Sequence, residues 1–357
     1  MKSIFGHKIP QRGRLNGCSF EMSVKKVAVI GQGVIGCSNA LTLLEKFPKA
    51  QVTLFGHQEF KNTCSYGPAG LFRFDKFENK EWARVTFERF AYLERNHGPS
   101  TGIKLVSGHI QSDNRESLEG QEKNYADIVY NFRWLSDREI KLMFNDPYCI
   151  HYTAYAAEGR KYVPWLVEQL KSKGASFETK EYKSLDEVDT TTNYLTVNKD
   201  GFDYIFNCAG YNGGKLAGDD DTVVPNRGVL LEVEAPWHHH FNYRDFTSFT
   251  IPMSNSVTLG TLKQVGRGDM QITDEDKKDI WDRYLKLHPQ FKGAKVLSEF
   301  IALRPEREHV RVEYQERKSA DGSKYHVVHN YGQGSWGFSL SYGSSIAALE
   351  LMEQKWN

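Results

Sequence analysis

A glycine-rich stretch near the amino terminus constrains this chain more than any other feature. Gly31, Gly33 and Gly36 have the spacing GxGxxG and follow a short apolar run, residues 27–30. Such a run is typical of a strand buried on both faces, and the apolar periodicity of residues 37–44 predicts a helix. In this arrangement the first glycine makes a tight turn, the second lets backbone approach a pyrophosphate, and the third lets helix pack on strand. Because the flanking strand and helix are both present, the motif predicts a dinucleotide site.

The overall composition argues against several classes of protein. The formal net charge of the 357 residues is +1, so the chain lacks the basic footprint of a nucleic-acid-binding protein. No apolar run reaches the length needed to cross a bilayer. The five cysteines are scattered without a CxxC pair, which argues against a metal site and for a reducing compartment. We therefore expect a soluble intracellular protein with no metal, no membrane and no nucleic-acid partner.

The first 23 residues differ from the rest. They are basic, contain interspersed glycine and proline, and have no acidic residue before Glu21. We expect residues 1–23 to be a disordered amino-terminal extension.

The segments after the glycine motif extend the predicted dinucleotide site. Residues 51–55 form the next predicted strand, after which an acidic residue usually holds the ribose; His57 is nearest to that position here. The loop 62–71 is rich in small and hydroxylated residues suited to phosphate and to a flat ring. The apolar run 204–207 predicts another strand of the same sheet, ending in a turn of small residues.

The carboxyl-terminal half predicts both a substrate domain and a longer cofactor. Alternating apolar residues within 227–261 predict antiparallel strands, and residues 273–287 predict a helix. A strand at 324–328 leads into a second glycine-rich loop, 329–343, and then into a helix. A second glycine-rich loop before a helix suits the far end of a long cofactor, which favours FAD over NAD.

The motifs together resemble the D-amino-acid oxidase family, and more closely its acidic-substrate branch, the D-aspartate oxidases. The matching stretches are Val29–Gly36, Ala69–Leu71, Asn207–Gly210, Arg227–Gly228, Ala235–Trp237, Val257–Gly260, Leu303–Arg311 and His329–Gly334. The resemblance implies an α/β (α+β) fold in which an FAD-binding Rossmann-like domain is interleaved with an antiparallel-sheet substrate domain. We assign residues 24–75, 151–222 and 320–357 to the first domain and residues 76–150 and 223–319 to the second.

The resemblance also implies site residues. Arg304 would clamp the substrate α-carboxylate, and Ser335 stands where the acidic-substrate branch carries serine. Phe249 replaces an active-site tyrosine of the family, for which Tyr243, on a nearby loop, could substitute. The FAD-binding residues implied by the motifs are Gly31, Gly33, Val34, Ile35, Gly36, His57, Thr63, Cys64, Ser65, Gly70, Leu71, Cys208, Gly210, Gly334, Gly337, Phe338 and Ser339.

The implied activity is oxidation of acidic D-amino acids, D-aspartate or D-glutamate, by hydride transfer from Cα to flavin N5. The products are the 2-oxo acid, ammonia and, through molecular oxygen, hydrogen peroxide. An acidic substrate needs a second cation in a dry pocket. The candidates are Arg244, which aligns loosely with the family's side-chain arginine, Lys263, which replaces another arginine, and Arg73, where the family carries uncharged or histidine residues.

Three alternatives remain open at this point. A neutral D-amino-acid oxidase uses the same architecture, a flavin-binding homologue without turnover is compatible with Phe249, and the first motif alone fits an NAD-dependent dehydrogenase. Family oxidases often reside in peroxisomes, but residues 355–357 are not a Ser-Lys-Leu type signal, so a cytoplasmic or peroxisomal location is left open. The sequence does not indicate an oligomeric state.

Overall fold

The computed structural model describes residues 25–143, 147–185, 201–318, 322 and 324–356. The expected disorder of residues 1–23 lies outside these ranges. Within them, the helices are α1 Val34–Lys46, α2 Lys80–His97, α3 Arg115–Tyr125, α4 Asp137–Met143, α5 Gly159–Ser172, α6 Gly213–Ala217, α7 Asp274–Leu287 and α8 Gly337–Glu353. The strands are β1 Lys26–Ile30, β2 Gln51–Gly56, β3 Ile103–Ser112, β4 Tyr130–Trp134, β5 Tyr148–Ala157, β6 Ser176–Thr179, β7 Tyr204–Asn207, β8 Val224–Val233, β9 Phe241–Arg244, β10 Ser248–Pro252, β11 Val257–Gly260, β12 Gln264–Val265, β13 Val296–Lys318 and β14 Lys324–Gln333.

One part of the sheet is parallel and forms the base of the dinucleotide motif. Its strands are ordered β14-β7-β1-β2-β6, and every neighbouring pair is parallel. The apolar run of β1 is buried on both faces. Val27 and Val29 belong to the cluster that includes α1 and α8, whereas Ala28 and Ile30 belong to a second cluster that includes Leu216 of α6. In register, Ile30 pairs with Phe55 on one side and with Asn207 on the other. The carboxyl ends of β1, β2 and β7 therefore meet beside the glycine turn.

The other part of the sheet is mainly antiparallel. Its order is β4-β5-β3-β9-β10-β11-β8-β13, with β12 paired to β8, and only the β3–β9 pair is parallel. The long strand β13 pairs with β8 through its first half and with β14 through its second. The two parts are therefore joined in one continuous sheet. The combination of a parallel part with helices packed on it and a mainly antiparallel part confirms the predicted fold class.

Two segments cross the domain division predicted from the sequence. The boundary between residues 150 and 151 falls within β5, which pairs with β3 and β4. Helix α2, which we assigned to the substrate domain, packs closely on α8. There Gly343 N donates to Thr86 Oγ1 at 2.9 Å, and a Cβ at Gly343 would lie 2.0 Å from the carbonyl oxygen of Trp82. The division itself stays a prediction.

Candidate functional site

The glycine turn between β1 and α1 is closely packed at three points. Gly31 has φ of 119°, and a Cβ there would lie 2.3 Å from the carbonyl oxygen of Cys208. At Gly33 a Cβ would lie 2.9 Å from Ser65 Oγ, the atom that accepts the first helical N–H, from Val34, at 3.0 Å. At Gly36 a Cβ would lie 1.8 Å from the Gly31 carbonyl oxygen. The turn therefore requires glycine for the reasons expected of a dinucleotide motif.

A large cavity extends from this turn to the antiparallel strands. Its volume is about 560 Å³, and all of the predicted cofactor-binding residues line it except Gly36, which packs beneath the turn. The amino terminus of α8, including Gly337, faces the same cavity. Free N–H groups and the partial positive charge of a helix start are suited to a negatively charged or electron-rich ring edge.

The walls of the cavity fit FAD. Gly210 and Gly334 both line it with positive φ, 59° and 56°, and a Cβ at Gly210 would meet nothing within 4 Å. Bare backbone can therefore approach a bound group at both positions. Loops from both glycine-rich segments line the one cavity, as a cofactor longer than a single nucleotide requires.

The sequence did not indicate the role of Gln32. Its Nε2 donates to the carbonyl oxygens of Leu54 and Glu178, both at 3.0 Å, and so ties the ends of β2 and β6 together beneath the cavity. Gln32 occupies a variable position of the motif, which carries no signal of its own.

Arg304 lies at the substrate end of the cavity. Its Nη2 donates to Thr261 Oγ1 at 3.0 Å and its Nη1 to the Leu262 carbonyl oxygen at 3.4 Å, and no carboxylate in the described ranges forms an ion pair with it. Its guanidinium lies over Gly228, where a Cβ would be 2.3 Å from Cζ. Burial lowers the pKa of Arg304 from its ordinary value. A half-buried guanidinium on the cavity wall that is bonded only to neutral acceptors is suited to bind an anion.

Two further cations line the same end. Arg73 is 7% exposed and forms an ion pair with Asp75, Nη2 to Oδ1, at 2.6 Å. Burial alone would lower the pKa of Arg73, but Asp75 and nearby tyrosines raise it above its ordinary value. Lys263 is half-buried, and burial, with the charges of Arg73 and Arg304, lowers its pKa to about 8. All three cations line the cavity: Arg304 bonds to the two residues that precede Lys263 by one and two positions, and Arg73 Cζ lies 5.8 Å from the centroid of the Tyr243 ring.

Phe249 and Tyr243 are register partners on neighbouring strands. Phe249 on β10 pairs with Tyr243 on β9, and their rings stack with centroids 4.7 Å apart. Both line the cavity, so Tyr243 brings a phenol close to Phe249, although it lies in a strand rather than in the loop expected from the sequence. Burial raises the pKa of Tyr243 to about 12, which keeps the hydroxyl protonated.

Arg244 is not brought to the cavity with the other predicted cations. Successive side chains of a strand point to opposite faces, and Tyr243, the preceding residue of β9, faces the cavity. Arg244 is absent from the described lining, and its Nε lies 3.5 Å from Asp245 Oδ2. Ser335 does line the cavity, directly before α8.

The fold and the cavity define a dinucleotide-binding flavoprotein oxidoreductase. The chain belongs to the DAO family of FAD dependent oxidoreductases, whose model matches residues 26–351, and FAD is its cofactor. The predicted family and cofactor are thus confirmed.

Relatives along nearly the whole chain agree with this membership. The chain is 54% identical to D-aspartate oxidase 2 of Caenorhabditis briggsae, over 92% of this chain and 98% of that protein. It is 31% identical to the D-aspartate oxidase of Homo sapiens, over 93% and 96% of the two chains. Among solved structures, glycine oxidase from Bacillus cereus ATCC 14579 superposes with a TM-score of 0.75 at 18% identity, covering 93% of this chain and 95% of that one. The last similarity concerns the fold alone.

None of the helices in the part of the chain that the structure describes combines the length and apolar character needed to traverse a bilayer.

Proposed function

We propose that this protein catalyses the FAD-dependent oxidative deamination of acidic D-amino acids, with D-aspartate as the principal substrate and D-glutamate as a second one. The observation that carries the proposal is Arg304, a guanidinium in the cofactor cavity that forms no ion pair with a described carboxylate. Relatives named D-aspartate oxidase at 51–54% identity support the choice of substrate.

In this mechanism the chain's main task is to orient the substrate. Arg304 binds the α-carboxylate with two N–H groups, which fixes direction as well as charge. Thr261 and Leu262 hold the guanidinium, and Gly228 leaves space for it. Positioning of this kind can lower the activation free energy by up to roughly 7–11 kcal/mol in well-oriented systems.

The glycine-rich loops around Gly33 and Gly334 would hold FAD, which would supply the two-electron acceptor for the Cα hydrogen, with molecular oxygen as the final acceptor and hydrogen peroxide as its product. The substrate leaves as an imino acid, which water hydrolyses to the 2-oxo acid and ammonia. The reaction needs no protein base when the substrate amine is neutral. Burial raises the pKa of Cys64 to about 11 and that of Tyr243 to about 12, so both keep their protons and neither is suited to act as a base.

The visible spectrum of the FAD-loaded protein tests the proposal. Under anaerobic conditions we expect D-aspartate to bleach the flavin bands, and readmitted oxygen to restore them with release of peroxide and ammonia. Arg304→Ala should retain FAD but lose at least about 100-fold in kcat/KM, because the substitution removes the cation that pairs with the substrate α-carboxylate. A protein that stays colourless after incubation with FAD, or a flavin that D-amino acids do not bleach, would refute the assignment.

A second candidate is the oxidation of neutral D-amino acids. Phe249, Phe246 and Ile251 give the cavity an apolar wall that a hydrocarbon side chain could occupy. A panel of D-aspartate, D-glutamate, D-alanine and D-methionine separates the two candidates, and we expect the acidic substrates to have the higher kcat/KM. We further propose an intracellular location, cytoplasmic or peroxisomal, which imaging of the tagged full chain would test.

A further inference from the structure

The substrate end of the cavity carries more positive charge than one carboxylate can neutralise. Arg73, Lys263 and Arg304 line it. Glu181 is the acidic residue among the described lining residues, and it follows β6 at the nucleotide end. Asp75 neutralises one of these three positive charges and an α-carboxylate on Arg304 a second, which leaves one positive charge for a second anionic group.

Arg73 is held more firmly than Lys263. Its Nη2 is bonded to Asp75 at 2.6 Å, and its Cζ lies 4.5 Å from the centroid of the Phe246 ring, within the range of a cation–π contact. A guanidinium has five N–H donors, and Asp75 accepts one. The Nε of Arg73 has no hydrogen-bond partner among the described residues, although the side chain is only 7% exposed. A fixed guanidinium on the cavity wall therefore retains unused donors.

The turn between β9 and β10 places Phe246 against this guanidinium. Asp245 and Phe246 have φ of 47° and 57°, a left-handed conformation that is uncommon for residues other than glycine and strained for a bulky one. Ser112 Oγ donates to Asp245 Oδ1 at 2.7 Å, and Asp245 N donates to the Gln111 carbonyl oxygen at 3.2 Å. These contacts with β3 hold the turn, so the ring of Phe246 stays over Arg73.

We propose that Arg73 is the specificity-determining residue of this cavity and binds the side-chain carboxylate of an acidic D-amino acid through its unused N–H donors. Asp75 and Phe246 fix the plane of the guanidinium, and Lys263 adds charge without a fixed orientation. The assignment rests on the proposed function and deepens it. It differs from the expectation based on Arg244, whose strand position directs its side chain away from the cavity.

Arg73→Met tests the assignment because methionine keeps an apolar stem while removing the charge. With the FAD-loaded protein, we expect kcat/KM for D-aspartate to fall about 10- to 100-fold, the range for one lost hydrogen bond to a charged group. The kcat/KM for D-alanine should stay within about threefold of wild type. Binding of malonate, followed by the change in flavin absorption without turnover, should weaken by the same factor as D-aspartate, whereas binding of acetate should not change.

Arg89→Met is the matched control. Arg89 also stacks on an aromatic ring, Tyr342 at 4.7 Å, and pairs with a carboxylate, Glu45 at 2.8 Å, but it does not line the cavity. The Arg89→Met substitution should change neither the preference for D-aspartate over D-alanine nor the affinity for malonate. FAD content and thermal unfolding report whether each variant folds. If Arg73→Met does not fold, the double variant Arg73→Met with Asp75→Asn, which removes the unpaired carboxylate, replaces it.

Two results would overturn the assignment of Arg73. Equal losses for D-aspartate and D-alanine would make Arg73 a structural residue only. A selective loss of D-aspartate activity in Arg244→Ala, with none in Arg73→Met, would return the role to Arg244. If the wild-type protein oxidises no D-amino acid, the proposed function fails, and the malonate titration still decides whether Arg73 binds the second carboxylate.

Discussion

Lys263 makes dicarboxylate binding depend on pH in a direction that the structure determines. Burial is the main cause of its lowered pKa, the charges of Arg73 and Arg304 lower it further, and Asp75 and Glu306 oppose them, which gives a pKa of about 8. The protonated cation attracts an anion and the neutral amine does not. Affinity for a dicarboxylate should therefore be close to its maximum at pH 7 and below, and should decline as the pH rises through 8.

The expected magnitude follows from the titration. A lysine with this pKa is about 90% protonated at pH 7 and about 10% at pH 9, so affinity should fall roughly tenfold, or about 1.4 kcal/mol. Malonate is a suitable probe because it has no amine that titrates in this range. Its dissociation constant can be measured from the flavin absorption change between pH 6.5 and pH 9.5.

Two substitutions separate Lys263 from other titrating groups. Lys263→Arg keeps the charge throughout this range, so its malonate affinity should not decline. Lys263→Met should bind malonate weakly and with no pH dependence near pH 8. If the tenfold decline persists in Lys263→Arg, or if wild type shows none, the reasoning about Lys263 is wrong.

Three other substitutions or modifications test local packing. Gly228→Ala places a Cβ 2.3 Å from Arg304 Cζ, so KM for D-aspartate should rise at least about tenfold with FAD binding intact; an unchanged KM would contradict this. Gly31→Ala combines a positive φ with a Cβ 2.3 Å from the Cys208 carbonyl oxygen. It should lower the free energy of unfolding by about 1–3 kcal/mol and weaken FAD binding, and an affinity for FAD equal to that of wild type would contradict this. Burial raises the pKa of Cys37 to about 12 and that of Cys208 further, so peptide mapping after iodoacetamide at pH 8 should find both unmodified until the protein is unfolded; rapid labelling of the native protein would contradict this.

The elements that depend on local sequence were predicted well. The strand, glycine turn and helix at residues 27–44 follow from apolar periodicity and glycine spacing, and the capping box of Thr273 and Asp276 marks the start of α7. The start of α5 does not follow from a local pattern. Proline is typical of the first turn of a helix, but α5 begins at Gly159, five residues before Pro164, and a Cβ at Gly159 would lie 2.1 Å from the Ser65 carbonyl oxygen. That contact links residues distant in sequence, so local patterns do not indicate it.

The arrangement of residues at the substrate end of the cavity could not be predicted from local sequence, because it depends on tertiary structure. From the sequence we expected Arg244 and Lys263 among the site residues and Arg73 only as a further candidate, because the face of β9 that meets the cavity depends on its register with β10 and β3. The position of Phe246 could not be predicted either, because a phenylalanine does not indicate a left-handed backbone conformation. Gly228 belonged to a recognisable motif, but its purpose required the position of the Arg304 guanidinium.

The length of β13 has a mechanical consequence. Glu306 pairs with Val224 on β8 and with Gln333 on β14, only two residues beyond Arg304. The backbone of β13 therefore fixes the distance between Arg304 and the loop that leads from Gln333 into α8. The two halves of the molecule cannot swing apart at this point without breaking that strand. Entry of the amino acid and departure of the imino acid therefore depend on parts of the cavity rim other than this strand.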